Sequence, residues 1–195
     1  MKERLETEIK LPVRDPRALQ RHFRELGFRR VKARYLERNH LFDFPDQRLR
    51  KARCLLRLRF EGGQAVLTYK GAPIRSDPHK VRREAEILIS DGPCAREILE
   101  TLGLRETFFY EKYRTVYASK GRQKATVSSY LAYDETPVGN YLELEGSPRW
   151  IDQVARRLGY SRRAYVTRSY LALYFQKCAE LGREPANMVF PGRKS

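Results

Sequence analysis

The sequence predicts a single α+β domain dominated by an antiparallel sheet. Two observations carry that expectation. Segments of polar–apolar alternation with period two recur along the chain, some joined by short glycine-containing turns. Amphipathic stretches that open on helix-start signals interrupt them. A length of 195 residues fits one domain, and no linker stands out. The order of strand, helix and strands, followed by helix, strands and helix, also suggests two similar halves joined near residues 90–103.

Residues 4–13 alternate and give the first strand. Asp15-Pro16 then supplies an N-cap and a first-turn proline to a helix whose apolar stripe is Leu19, Phe23 and Leu26 and which Gly27 ends. Residues 28–44 read as extended but irregular, closing at Pro45-Asp46. Strands at 53–60 and 65–70 flank Glu61-Gly62-Gly63-Gln64, a hairpin with a Gly-Gly turn. A loop at 71–80 precedes a strand at 81–89, and Asp91-Gly92-Pro93 opens a second helix that ends at Gly103. Residues 107–119 and 123–134 form a second hairpin across Lys120-Gly121-Arg122. A last strand at 140–145 and helices at 148–158 and 167–181 complete residues 1–181 as the domain. The tail, 182–195, carries Pro, Gly and basic residues and is expected to be loose.

Composition narrows the function classes. Apolar residues are 41% of the chain, with 12 Tyr and 9 Phe, enough for a core despite a mean hydropathy of -0.68. Lys plus Arg (40) exceeds Asp plus Glu (24), a net charge of +16 that excludes disorder of the acidic, aromatic-poor kind and favours anionic partners. No apolar run approaches the roughly 18–20 residues a spanning helix needs, so no membrane partner is expected. Met1-Lys2-Glu3-Arg4-Leu5-Glu6 lacks the apolar stretch of a signal peptide. Cys54, Cys94 and Cys178 are widely spaced and read as reduced thiols of a cytoplasmic protein.

The charges sort by strand. Glu6, Glu8 and Lys10 share one face while Leu5, Ile9 and Leu11 share the other. Arg57 and Arg59 oppose Leu56 and Leu58, and Lys70 shares a face with Thr68 against Leu67 and Tyr69. Glu84 and Glu86 oppose Ala85 and Ile87, Lys112 and Arg114 oppose Tyr113, and Glu143 and Glu145 oppose Leu142 and Leu144, with Asp134 ending the preceding strand. One such face is ordinary solvated surface. Six of them, almost wholly ionic, fit a sheet closed into a barrel with the charges in its lumen and the apolar faces outward under helices. A lumen of that kind is costly unless a ligand or ions complete it. The cations Lys10, Arg57, Arg59, Lys70, Lys112 and Arg114 suit a polyphosphate. The carboxylates would repel it unless hard cations such as Mg²⁺ or Mn²⁺ lie between. Acids for metal and bases for phosphate make a phosphoryl- or nucleotidyl-transfer site.

Those residues carry a resemblance. Glu6-Thr7-Glu8-Ile9-Lys10 is similar to the ExExK signature of the CYTH domain, or triphosphate tunnel metalloenzyme, family. Leu56-Arg57-Leu58-Arg59, Leu67-Thr68-Tyr69-Lys70-Gly71, Arg83-Glu84-Ala85-Glu86, Glu111-Lys112-Tyr113-Arg114, Asp134 and Leu142-Glu143-Leu144-Glu145 follow in family order. Arg168-Ser169-Tyr170 resembles its closing element, so the likeness spans residues 1–175. It implies an eight-stranded antiparallel closed β-barrel that binds a triphosphate with Mg²⁺ or Mn²⁺. It further implies metal ligation by Glu6, Glu8, Glu143 and Glu145, assisted by Asp134, Glu84 and Glu86, and phosphate clamping by Lys10, Arg57, Arg59, Lys70, Lys112 and Arg114, with Arg168 beside them. The chain departs from the family at Asn39-His40-Leu41-Phe42-Asp43, where relatives carry an acidic residue and then a tyrosine. Leu41 at that tyrosine position argues against a thiamine triphosphatase mechanism.

Three functions stay open. A fully acidic Glu143/Glu145 strand and the Glu84/Glu86 pair suit activation of water and favour a triphosphatase, with Glu6, Glu8, Lys70, Glu84, Glu86 and Asp134 as its catalytic set. The 71–80 loop and the Lys70 motif resemble class IV adenylate cyclases, which convert ATP to cyclic AMP and pyrophosphate. A polyphosphate- or RNA-binding module without turnover would use the basic patches Arg48/Arg50/Lys51/Arg53, Arg29/Arg30/Lys32/Arg34 and Arg156/Arg157 with Arg162/Arg163. Those patches read first as solvated charge, so a triphosphate-bearing small molecule is the expected partner, nucleic acid is not, and a second copy is a candidate homodimer mate. His22, His40 and His79 are scattered and make no zinc site or base–nucleophile pair. Cys54 is expected to face the core, and Trp150 with Tyr165, Tyr170, Tyr174 and Phe175 to serve packing.

Overall fold

The computed structural model describes residues 4–74, 77–119 and 129–192. Eight antiparallel strands close into one barrel. They are β1 (Arg4–Pro12), β2 (Phe28–Asp43), β3 (Leu55–Glu61), β4 (Gln64–Lys70), β5 (Lys80–Ile89), β6 (Arg105–Ser119), β7 (Ser129–Thr136) and β8 (Gly139–Gly146). The ring runs β1-β5-β4-β3-β2-β6-β7-β8, so two meanders meet where β2 pairs β6 and β1 joins their outer ends. The junction expected near residues 90–103 falls between those meanders, at α3 (Gly92–Thr101).

Each longer helix starts where a short polar side chain satisfies a free backbone N–H. Asp15 Oδ1 accepts from Arg17 N (2.9 Å) and Ala18 N (3.0 Å) ahead of α1 (Pro16–Glu25). Asp91 caps α3 (Gly92–Thr101), Ser147 caps α4 (Pro148–Arg157) and Ser169 caps α5 (Tyr170–Glu180). Gly92 allows α3 to lie against the barrel: a Cβ there would stand 2.2 Å from Phe60 Cε1.

The helices cover the outward apolar faces. Ile9, Leu11, Leu131, Leu142 and Leu144 pack beneath Leu19 and Phe23 of α1 and Ile151, Val154 and Ala155 of α4. Phe42, Leu58 and Ala65 pack beneath Leu99 of α3. The third cluster gathers Leu41, Phe108 and Tyr110 with Tyr170 of α5 and Met188, and Leu55 and Tyr141 pack against it.

Several boundaries differ from the sequence expectation. Residues 28–43 form a 16-residue strand whose register shifts three times against β6, and those bulges disguised its period. A one-turn helix, α2 (Arg48–Lys51), was too short to leave a pattern. The last helix starts at Tyr170, after its Ser169 cap, and not at 167. The turn 120–122 and residues 123–128 of the expected strand lie outside the described residues. The segment expected to be loose is strapped to β6: Met188 N donates to Phe109 O (3.0 Å), Glu111 N donates to Met188 O (2.9 Å), and Met188 is wholly buried. Among the described residues no helix is long and apolar enough to cross a membrane.

Candidate active site

Alternation along the strands turns the ionic faces inward. The lumen holds a cavity of about 390 Å³, lined by every predicted charged strand residue except Asp134: Glu6, Glu8 and Lys10 from β1, Arg57 and Arg59 from β3, Lys70 from β4, Glu84 and Glu86 from β5, Lys112 and Arg114 from β6, and Glu143 and Glu145 from β8. Leu55, Tyr110 and Tyr170 line it too and belong to the apolar cluster beneath α5, so they form its floor. Nine basic and eight acidic side chains line the cavity.

Cross-strand register decides which charges meet. Lys10 lies opposite Glu143 and Glu8 opposite Glu145, Lys70 opposite Glu84, Lys112 opposite Glu37, and Arg114 opposite Asp134. Lys10 Nζ stands 3.2 Å from Glu8 and 3.1 Å from Glu143. Lys80 also reaches Glu8. The like-charged Glu8/Glu145 pair is therefore separated electrostatically, because Glu145 turns to Arg4 and Tyr130 instead.

Asp134 does not line the cavity but shares the inward face with its cross-strand partner Arg114. It is fully buried and accepts from Lys112 (3.0 Å), from Arg114 Nε (2.7 Å) and Nη2 (2.6 Å), and from the Tyr170 hydroxyl (2.7 Å). Glu37, also fully buried, meets Lys112 at 3.2 Å and Arg114 at 3.6 Å. These two acids fix the directions of the β6 cations, with Arg114 also touching Glu143.

The titration behaviour follows from this pairing. Burial pushes Glu8 up, but Lys10 and Lys80 outweigh it and hold the carboxyl at about 2. Burial likewise opposes Lys10, Arg114 and Lys112 at Glu143, and the cations win, leaving it well below the usual range. Glu6 and Glu145 go the other way. Burial raises Glu6 despite Lys70, and burial followed by the charge of Glu6 pushes Glu145 up to about 7.

Under-neutralised carboxylates in a charged lumen are hard oxygen donors suited to a divalent cation. No group of three His, Cys, Asp or Glu residues among those described is set to hold a metal by itself. The donors therefore fit a Mg²⁺-like ion that keeps waters and shares oxygens of a phosphate ligand, better than a closed protein cage.

Arg168 is not brought to the lumen. It is exposed and bonded to Gln176, while its neighbours Ser169 and Tyr170 reach the cavity wall. Leu41 packs against Phe108 in the floor cluster, and Lys70 is held by Glu6. Sequence reasoning missed Arg4, Glu37, Glu61, Lys80, Arg82 and Tyr130. Lys80 and Arg82 continue the Glu84/Glu86 face at period two, a signal that was present.

Away from the lumen, His79 Nε2 lies 2.9 Å from Asp152 Oδ1 and ties the start of β5 to α4. His22 is exposed, and His40 pairs Glu106. Cys54 is half-buried and accepts from Tyr69. Trp150 and Tyr165 pack in the α1/α4 cluster, and Tyr174 and Phe175 in the floor cluster. The exposed arginines Arg17, Arg21, Arg24, Arg29 and Arg30 lie outside the lumen.

A closed antiparallel barrel that is apolar outside and ionic within is a tunnel with a charged lumen. The chain belongs to the CYTH domain family, whose model matches residues 4–170. A Methanocaldococcus jannaschii protein named as a candidate adenylate cyclase is 30% identical over 179 residues, 87% of this chain and 98% of that protein. The solved PH1819 protein of Pyrococcus horikoshii superposes with a TM-score of 0.72 at 25% identity, covering 88% of this chain and 99% of its own. A Hippeastrum protein described as a candidate adenylyl cyclase with a dominant triphosphatase activity shares the fold. Its TM-score is 0.63 at 21% identity, over 92% of this chain and 97% of that one.

Proposed function

We propose that the protein is a metal-dependent triphosphate phosphohydrolase that takes inorganic or nucleoside triphosphate into the tunnel. The observation that carries this reading is the cavity itself, about 390 Å³ with nine basic and eight acidic side chains on its wall. In this reading Lys10, Arg57, Arg59, Lys70, Lys112 and Arg114 clamp phosphate oxygens, the planar guanidiniums bridging two at a time. Asp134 and Glu37 hold Lys112 and Arg114 in place beside them. Glu6, Glu8, Glu143 and Glu145 would hold Mg²⁺ or Mn²⁺, which when bound neutralises phosphate charge and acidifies water. Glu84, and Glu86 nearer the solvent, would receive the proton of the water that attacks phosphorus.

The relative's name supports a second reading, cyclisation of ATP. The triphosphatase activity in the Hippeastrum description supports the first. A phosphorus NMR product assay with Mg²⁺ or Mn²⁺ separates them. Orthophosphate with pyrophosphate from inorganic triphosphate, or orthophosphate with ADP from ATP, is the expected result. Cyclic AMP with pyrophosphate would make the protein a cyclase, and binding without turnover would make it a binding module.

A further inference from the structure

Most cations of the lumen are already neutralised within the protein. Among the described residues Lys10, Lys70, Lys80, Lys112 and Arg114 each meet one or more carboxylates, and Arg59 meets Glu61 at 2.9 Å. Two guanidiniums stand apart. Arg57 donates to Thr68 (3.4 Å) and forms no ion pair among the described residues. Arg82 forms none either, although it lines the cavity. The Nε atoms of both are buried without a hydrogen-bond acceptor.

The register explains why Arg82 is left over. It sits on β5 directly across from Glu6, with Lys80 across from Glu8 two residues away. Both acids are engaged elsewhere: Glu6 holds Lys70 at 2.6 Å through both oxygens, and Glu8 holds Lys10 and Lys80. A guanidinium cannot discharge itself by losing its proton, so one whose nearby acids are bonded elsewhere is the lumen cation best placed to take an anion from outside. Its fork geometry matches phosphate oxygens, and an unpaired fork has no internal partner to give up when a phosphate binds.

We propose that Arg82 is a substrate-binding residue of this tunnel, offering its free guanidinium to a phosphate oxygen at the β1–β5 wall while Arg57 does the same from β3. The inference rests on the triphosphate reading above and adds a clamp residue to it. It also orders the clamp: the two arginines without a carboxylate partner engage the phosphate chain directly, whereas the paired lysines must first exchange a carboxylate.

Titration calorimetry with inorganic triphosphate tests this, first in EDTA, where no turnover occurs, and then with Mg²⁺. Losing one charge-assisted contact should weaken binding about tenfold or more in Arg82→Ala. Arg82→Lys should fall between Arg82→Ala and the unaltered protein, and Arg21→Ala, which removes an exposed α1 charge, should stay within about twofold because surface charges contribute little. In steady state Arg82→Ala should raise KM and leave kcat within about threefold, the pattern of lost uniform binding. Arg82→Gln, which removes the charge but keeps a polar side chain with N–H donors, controls for folding through its melting temperature. Binding by Arg82→Ala within twofold of the unaltered protein would overturn the role of Arg82 and leave the triphosphate reading standing. Absence of binding by the unaltered protein both in EDTA and with Mg²⁺ would overturn both.

Discussion

Lys70 Nζ stands 2.6 Å from each carboxylate oxygen of Glu6 and 3.3 Å from Glu84. The cation proposed to clamp phosphate is thus held by an acid proposed to hold metal. Burial raises Glu6 and opposes the charge on Lys70, yet Glu6, Glu8 and Glu84 together keep Lys70 firmly cationic. In the proposed function, filling of the two subsites would therefore be linked: an ion held by Glu6 would leave Lys70 free for phosphate.

Glu6→Gln tests that linkage. The amide keeps the shape, leaves Lys70 paired with Glu84, and removes an oxygen donor of full charge. Metal-dependent turnover should fall about a hundredfold or more, while the melting temperature moves little. Activity equal to that of the unaltered protein would show that the tunnel carboxylates are not the metal donors.

Asp134→Ala should act mainly on stability. It leaves Lys112 and Arg114 buried with fewer partners and strands the Tyr170 hydroxyl. Removing one member of a buried ionic cluster costs about 3–5 kcal/mol. Urea unfolding measures it, and a loss below about 1 kcal/mol would mean the lumen relaxes around the gap.

Glu37 gives a pH dependence with a definite sign. Burial pushes its carboxyl up, but Lys112 and Arg114 outweigh burial and hold it well below its ordinary value of 4.5. A depressed folded value makes the stabilisation complete above 4.5 and progressively lost as pH falls below it. The melting temperature should therefore decline below that pH, and less steeply in Glu37→Gln, which also starts lower at neutrality. Parallel curves for the two proteins would assign the acid loss to other groups.

Met188→Ala addresses the C-terminal strap. Met188 is wholly buried beside Tyr110 and Tyr170. Truncating a buried methionine costs about 2–5 kcal/mol. Chemical denaturation that shifts by less than about 0.5 kcal/mol would mean that residues beyond 182 contribute only their backbone bonds.

The inward charges of β1, β3, β6 and β8 were legible because each of those strands alternates cleanly between ionic and apolar residues. Glu37 and Asn39 were not. Arg29, Arg30, Lys32, Arg34 and Arg38 surround them with charge on both faces, and three register shifts break the period. The partners of Asp134 were not legible, since only the side chains of β6 and α5 show that Arg114, Lys112 and Tyr170 occupy it. The strap at Met188 joins segments nearly eighty positions apart and leaves no local pattern. Arg168 stood in the right motif, but its helix cap turns it outward.

The floor of Leu55, Tyr110 and Tyr170 beneath α5 makes the tunnel a cul-de-sac. Whatever enters must do so by a free end, and the portion lodged deepest leaves last. Under the proposed function, a long phosphate polymer would be shortened from its terminus, and a phosphodiester inside a nucleic-acid strand, flanked on both sides, would have no way in.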